Sequence, residues 1–186
     1  MTMTAAPPGT AIAVRDATAD DVPAILGIYG YHVRYGFASF EEVPPDLAEM
    51  ERRRDEVVRR GLPYLVAERG GQVLGFAYAS PFRTRSAYRY TVEDSVYVSP
   101  GAMGQGFGRR ALTTLIERCS ARDLRQMVAV IGDSGNSASI RLHQALGFER
   151  AAVLRAVGYK LGRWVDSVIM QRHLGLGDTA PPPPQG

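Results

Sequence analysis

The segment TVEDSVYV places two adjacent carboxylates, Glu93 and Asp94, in a run that reads as a strand. A strand sends successive side chains to opposite faces, so Thr91, Glu93, Ser95 and Tyr97 share one face and Val92, Asp94, Val96 and Val98 the other. Glu93 therefore leaves the valine-lined face and is a candidate general base, with Asp94 the rival carboxylate. By spacing alone, either reads equally as a solvated acid. Just upstream, ASPFRTRSAY carries Arg83 and Arg85 on one side of what reads as an extended segment. Paired guanidinium donors can clamp a carboxylate or phosphinate, and two surface arginines on a loop would look the same in sequence. Phe37, Ser39, Phe40, Phe82 and Tyr88 are candidate walls for such a ligand, and equally ordinary core or hairpin residues.

A second chemistry resides in VYVSPGAMGQGFGRRALTTL, read as strand, glycine-rich turn and helix. Gly104, Gly106 and Gly108 let the backbone approach a ligand, and a helix start offers unpaired N–H groups and the positive end of its dipole. A phosphate suits such a place. The dinucleotide fingerprint would need glycine where Arg109 stands, and a P-loop would need lysine where Phe107 stands. A glycine turn with no ligand is the alternative here. Further on, His143 sits on a short helix as a candidate acid or as a hydrogen-bonded packing residue. Asn136 and Ser139, at the start of that helix, read as ligand contacts or plain helix-start residues.

These groups need a scaffold. Ala11 to Arg15 reads as an edge strand, and Thr18 with Asp21 marks a helix start before the apolar face of Val22, Ile25, Leu26 and Tyr29. Leu47, Met50, Arg54 and Val57 define a second helix ending near Gly61. Its arginines, from Arg52 to Arg60, are interleaved with Glu49, Glu51, Asp55 and Glu56, a solvated face rather than a nucleic-acid surface. Three consecutive strands follow, Tyr64 to Glu68, Val73 to Ser80 and Tyr88 to Val98. Leu112, Leu115, Ile116 and Cys119 give the next helix its buried face. Gln126 to Gly132 is a buried strand, Ser137 to Leu146 a short helix, and strands near Ala151 to Tyr159 and Trp164 to Arg172 complete the order.

The 186 residues make about one domain's length, and 45% hydrophobic with 22% charged residues is ordinary globular composition. The net charge of +3 is spread along the chain. A single cysteine, Cys119, excludes a disulfide framework and suits a reducing cytoplasm, and three scattered histidines make no metal site. No run reaches the length of a membrane span. Residues 1–10 are expected to be flexible, 11–174 to form the domain, and 175–186, rich in proline and glycine, to be a disordered tail.

Taken in order, the glycine turn, the following helix, the buried strand and the Asn-led helix ending in LGF resemble the GCN5-related N-acetyltransferase superfamily over roughly residues 11–174. More narrowly, ASPFRTRSAY, TVEDSVYVSP, VAVIG, NSASIRLHQALGF and LRAVGYKLGRWVD resemble its phosphinothricin acetyltransferase group. The resemblance implies an α/β fold with a mixed, mainly antiparallel central sheet of about seven strands and helices on both sides. It implies acetyl-CoA as cosubstrate, with the pyrophosphate on Gly104, Gln105, Gly106, Phe107, Gly108 and Arg109. The acetyl carbonyl would be polarised by N–H groups among Val96, Tyr97 and Val98, and the pantetheine arm touched by Asn136 and Ser139. Met103 stands where the superfamily usually has Gln or Arg, which removes one polar side chain from the phosphate site.

By the same resemblance, Glu93 takes the amine proton and His143 protonates the thiolate, while Arg83, Arg85, Phe37 and Tyr88 hold the acceptor. The implied reaction is direct attack, in a ternary complex, by the α-amino group of a small amino-acid-like acceptor of the phosphinothricin, methionine sulfoximine or methionine sulfone type. No metal and no nucleic acid or membrane partner is expected, and a homodimer is. Two alternatives remain: a peptide, polyamine or aminoglycoside acceptor on the same fold, and a non-catalytic CoA-binding regulatory module. Trp164 reads as structural or as a dimer contact.

Overall fold

A computed structural model describes residues 11–182. The elements are β1 (Ala13–Asp16), α1 (Val22–Tyr35), α2 (Leu47–Arg59), β2 (Tyr64–Arg69), β3 (Gln72–Pro81), β4 (Thr91–Val98), α3 (Phe107–Ser120), β5 (Gln126–Gly132), α4 (Ser137–Ala145), β6 (Glu149–Lys160) and β7 (Arg163–His173). They form one seven-stranded sheet in the order β1-β2-β3-β4-β5-β7-β6. Its neighbouring strands are antiparallel except β4 and β5, which run parallel. The expected sequence of elements is the observed one.

Burial on both faces holds the sheet between its helices. On one face, Leu112, Leu115, Ile116 and Cys119 of α3 pack with Ala77, Val92, Met127, Ala129 and Met170. On the other, Val22, Ile25, Tyr29 and Val33 of α1 and Met50 and Val57 of α2 cover Tyr64, Val66 and Phe76. Cys119 is fully buried, and burial pushes its thiol pKa up to about 12. It holds no thiolate at neutral pH.

Several boundaries differ from the sequence reading. Thr18 and Asp21 do bond as expected, the Thr18 N–H and Oγ1 donating to Asp21 Oδ2 at 2.7 and 3.0 Å. The turn they close is 3-10, however, and α1 starts at Val22. Arg15 donates to both oxygens of the same carboxylate, at 2.7 and 2.8 Å, and its guanidinium holds Asp21 down to about 2. Leu47, expected on the buried face of α2, is 42% exposed because it occupies the helix's first turn, beyond the edge of the sheet-facing stripe. The charged face of α2 is laced with ion pairs: Arg52 to Glu49 and Glu56, Arg53 to Glu41 and Glu49, and Arg60 to Glu56.

The strand expected from Tyr88 begins only at Thr91. Ser86–Tyr88 is a 3-10 turn, closed by the Tyr88 N–H to the Arg85 carbonyl and the Arg89 N–H to Ser86. Residues 1–10 lie outside the described residues, as do 183–186 of the expected tail. From Gly175 the described chain turns, with the Gly177 N–H on the Leu174 carbonyl and Arg125 reaching the carbonyl of Pro181 at 3.2 Å.

Candidate active site

The parallel pair at the centre of the sheet is short. β4 pairs with β5 only from Thr91 opposite Gln126 to Asp94 opposite Ala129. Beyond that point β4 continues on β3 as far as Val98, and β5 continues on β7 to Gly132. The two strands separate there, opening a cleft with Ser95, Val96 and Tyr97 on one side and Val130, Ile131 and Gly132 on the other. Asn136, Ser139 and His143 of α4 complete its lining. An unpaired strand edge in a cleft offers backbone groups to a ligand that can take a strand's place.

Glu93 lies at the base of this divergence. The register of β3 with β4 has no shift, setting Ser80 opposite Glu93 and Tyr78 opposite Ser95. The expected alternation holds: Val92, Asp94, Val96 and Val98 face α3 and α4, and Glu93, Ser95 and Tyr97 face the α1 and α2 side. Glu93 is half-buried. Burial, then the charge of Asp94, raises its pKa, while Arg83 pulls it down. A carboxylate raised in this way is a better proton acceptor near neutral pH.

Asp94 and His143 form a buried pair, with His143 Nε2 3.1 Å from Asp94 Oδ2 and side chains 2% and 1% exposed. His143 Nδ1 lies 2.8 Å from the Ser139 carbonyl. Both ring nitrogens lie within hydrogen-bonding distance of oxygens, an arrangement that suits a protonated ring. Burial alone would lower its pKa; the hydrogen bond and charge of Asp94 and the Ser139 carbonyl outweigh that and raise it. The Phe148 ring packs edge-on against it at 4.9 Å between centroids. The other oxygen of Asp94, Oδ1, is buried without a hydrogen-bond partner among the described residues. Asn136 caps α4, its side chain accepting the Ser139 N–H at 3.2 Å.

At the mouth of the cleft, the chain turns from β4 into α3 through Gly104 at φ +74° and Gly106 at φ +94°. In this left-handed region a side chain is strained, which explains glycine at both positions. Gly106 is the N-cap of α3 and supplies no side-chain cap, so the first N–H groups of the helix, from Phe107, are available to an anion. Phe107 offers only its backbone, since its ring is fully buried. Arg109 and Arg110 are exposed. Gln105 bonds to the Gly101 carbonyl and accepts from Arg69, and Met103 is 51% exposed.

The 3-10 turn at Ser86 starts directly after Arg85, whose own backbone is extended as expected, so Arg83 and Arg85 lie close to where the extended segment ends. Both line one cleft of about 1040 Å³, along with Tyr78, Ser80 and Thr91 from the Glu93 side of the sheet and Arg53 and Met50 from α2. Arg83 lies over the Phe82 ring at 4.3 Å, and Tyr88 packs edge-on against Phe82 at 5.9 Å. Among the described residues neither Arg83 nor Arg85 is in an ion pair. Of the other expected walls, Phe37 sits at the far end of β5, beneath the guanidinium of Arg163 at 3.9 Å, and none of Phe37, Ser39, Phe40, Phe82 and Tyr88 lines this cleft. Sequence reasoning did not find the partnership of Asp94 with His143, which depends on how α4 docks. Nor did it find Gly132, Gly158 and Lys160, which touch the loop carrying Phe37; the rarity of lysine in this chain was a readable signal for the last of these.

The comparisons agree with this architecture. Residues 26–148 match the model of the acetyltransferase (GNAT) family. The chain is 59% identical over 172 residues to a phosphinothricin N-acetyltransferase of Alcaligenes faecalis, covering 92% of this chain and 87% of that one. It is 44% identical over 169 residues to an L-methionine sulfoximine/L-methionine sulfone acetyltransferase of Pseudomonas paraeruginosa, covering 90% and 98%. Among solved structures, a GNAT superfamily phosphinothricin acetyltransferase from Sinorhizobium meliloti in complex with AcCoA superposes with a TM-score of 0.90 at 47% identity, covering 92% and 93%. The chain belongs to the acetyltransferase (GNAT) family.

Proposed function

We propose that the protein transfers the acetyl group of acetyl-CoA to the α-amino group of a small amino-acid-like acceptor of the phosphinothricin, methionine sulfoximine or methionine sulfone type. The observation that carries this reading is the placement of Glu93 between two sites. On one side is the opening between β4 and β5, and on the other the cleft lined by Arg83 and Arg85. A free amino acid brings a carboxylate that must be partnered when water leaves, and two guanidinium groups outside ion pairs meet that need. The acidic pocket that a polyamine or aminoglycoside would favour is not what these arginines make.

Acetyl-CoA fits the remaining features. Its pyrophosphate meets the N–H groups at the start of α3, helped by Arg109, and its pantetheine arm enters along Asn136 and Ser139. Backbone N–H groups among Val96, Tyr97 and Val98 polarise the thioester carbonyl. Glu93 takes a proton from the ammonium, the amine lone pair adds to the carbonyl carbon, and the carbon–sulfur bond breaks to release the thiolate. His143, the acid in the cleft lining, meets that thiolate with a proton.

A homodimer is part of the same reading. Tyr159, Leu161 and Trp164 at the β6–β7 turn are 58%, 56% and 64% exposed, and Leu154 and Val157 on β6 are 47% and 54% exposed. A patch of this kind suits a second copy. The lone buried cysteine suits the cytoplasm, and no helix among the described residues is long and apolar enough to cross a membrane. A thiol-release assay with acetyl-CoA over amino acids, their analogues, polyamines and peptides tests the reading. Turnover with the amines lacking a carboxylate, and none with the amino acids, would reject it.

A further inference from the structure

Lys160 is the chain's only lysine, and every other member of its 22 basic residues is arginine. It ends β6 and is 2% exposed. Its ammonium donates a 2.6 Å hydrogen bond to the carbonyl of Ser39, in the loop between α1 and α2. Ser39 is itself buried, its hydroxyl 2.9 Å from that of Tyr29 and accepting the Glu41 N–H at 3.2 Å.

The residues on either side of Ser39 are held just as closely. A Cβ on Gly132 would lie 1.9 Å from the Phe37 carbonyl oxygen, and a Cβ on Gly158 would lie 2.1 Å from the Phe40 ring. Any larger residue at either place would displace the loop. Arg163 covers the Phe37 ring, and Tyr97 Oη reaches towards the Ala38 carbonyl at 3.5 Å. Each residue from Phe37 to Phe40 is thus met by a group from the sheet.

Gly132 shares the Glu93 face of the sheet: Glu93 lies opposite Val128 in the parallel pair, and alternation carries that face along β5 to Gly132. The loop therefore stands over the opened end of the β4–β5 pair, across Glu93 from Arg83 and Arg85. Burying an ammonium is costly, and burial does pull the Lys160 pKa down against the charges of Glu42 and Glu41. An apolar side chain of equal length would avoid that cost and lose the hold on Ser39. Arginine would bring a planar, forked head where one carbonyl awaits a compact donor.

We propose that Lys160, with Gly132 and Gly158, forms a seat that fixes the Phe37–Phe40 loop over the Glu93 face, making Lys160 a positioning residue for the acceptor. The seat rests on geometry alone, while its effect on the acceptor rests on the function proposed above.

Two measurements on the full chain test it. Amide hydrogen exchange across residues 37–41 reads the seat without any acceptor, and steady-state kinetics with phosphinothricin and methionine sulfone reads its effect. In Lys160→Met, exchange in the loop rises while β5 and β7 stay protected. The acceptor KM rises about 10- to 150-fold, the range for losing a hydrogen bond to a charged group. The kcat and the acetyl-CoA Kd stay within about twofold, a split that general destabilisation would not produce. Gly158→Ala, which disturbs the loop from Phe40 and keeps Lys160, gives the same split and secures the test should Lys160→Met fail to fold. Lys160→Arg keeps the charge without restoring KM. Unchanged exchange in Lys160→Met and Gly158→Ala overturns the seat, and raised exchange with unchanged KM overturns the positioning role. If the wild-type protein acetylates neither compound, the functional reading fails, and the exchange measurement still decides the seat.

Discussion

Asp94 and His143 join the middle of β4 to the last turn of α4 through a buried side-chain contact of 3.1 Å, so the strand edge that lines the cleft and the helix that closes it are tied at one point. The pair makes stability depend on pH in a definite direction. The His143 pKa is raised above its ordinary value of 6.5. Its contribution is therefore complete below the unfolded value and lost as pH rises through the folded one. Denaturant unfolding from about pH 6 to 9 should show wild-type stability falling more steeply than that of His143→Gln. Asp94→Asn, which leaves the imidazolium unpaired, should cost about 3–5 kcal/mol at the acid end, with the difference shrinking as pH rises. Parallel pH profiles for wild type and His143→Gln would rule out the ion pair.

Replacing Glu93 with Gln removes the proposed proton acceptor and changes little else. Turnover should fall about 10²- to 10⁴-fold, the usual contribution of a general base, with acetyl-CoA affinity nearly unchanged. Because the raised Glu93 pKa controls the deprotonated fraction, the wild-type rate should fall as pH drops through it. The variant should lose that limb and recover partly at high pH, where more amine is neutral. Wild-type turnover by Glu93→Gln at neutral pH would remove Glu93 from the chemistry.

Arg85→Ala should lower acceptor kcat/KM by roughly 10- to 150-fold, mainly through KM, as expected for one charge-assisted hydrogen bond. Lysine at this position should restore only part, since it lacks the planar fork. The direct comparison is between an amino acid and its amide. Equal rates for the two on the wild-type enzyme would show that the arginines do not read the carboxylate.

At the glycine turn, Gly106→Val forces a β-branched residue into φ +94° at the N-cap of α3. Acetyl-CoA binding measured by calorimetry should weaken far more than in Met103→Ala, whose side chain is half in solvent. Comparable losses in the two variants would move the pyrophosphate away from this turn.

What could be read from sequence was set by local periodicity. Once TVEDSVYV is read as a strand, its side-chain period of two places Glu93 and Asp94 on opposite faces, and the register of β3 and β4 keeps them there because no bulge intervenes. The apolar spacing of Leu112, Leu115, Ile116 and Cys119 likewise predicts the buried face of α3. Tyr88 misled because a β-prone aromatic beside a strand has the same composition as a turn residue; backbone hydrogen bonds at Ser86 decide the matter. The Asp94–His143 pair and the seating of Phe37–Phe40 are set by packing between distant segments, which no local period records.

The burial of Lys160 also bears on the protein's own integrity. An enzyme that keeps an activated acetyl donor at hand exposes every accessible primary amine near it to slow acylation, including those on its own side chains. Here the basic surface is built from guanidinium groups, which stay protonated and resist such transfer, and the one lysine amine is sealed beneath the Ser39 carbonyl. Held with acetyl donor and no acceptor, the folded chain should yield its Lys160 peptide unmodified, while the same chain unfolded in denaturant should yield it acetylated.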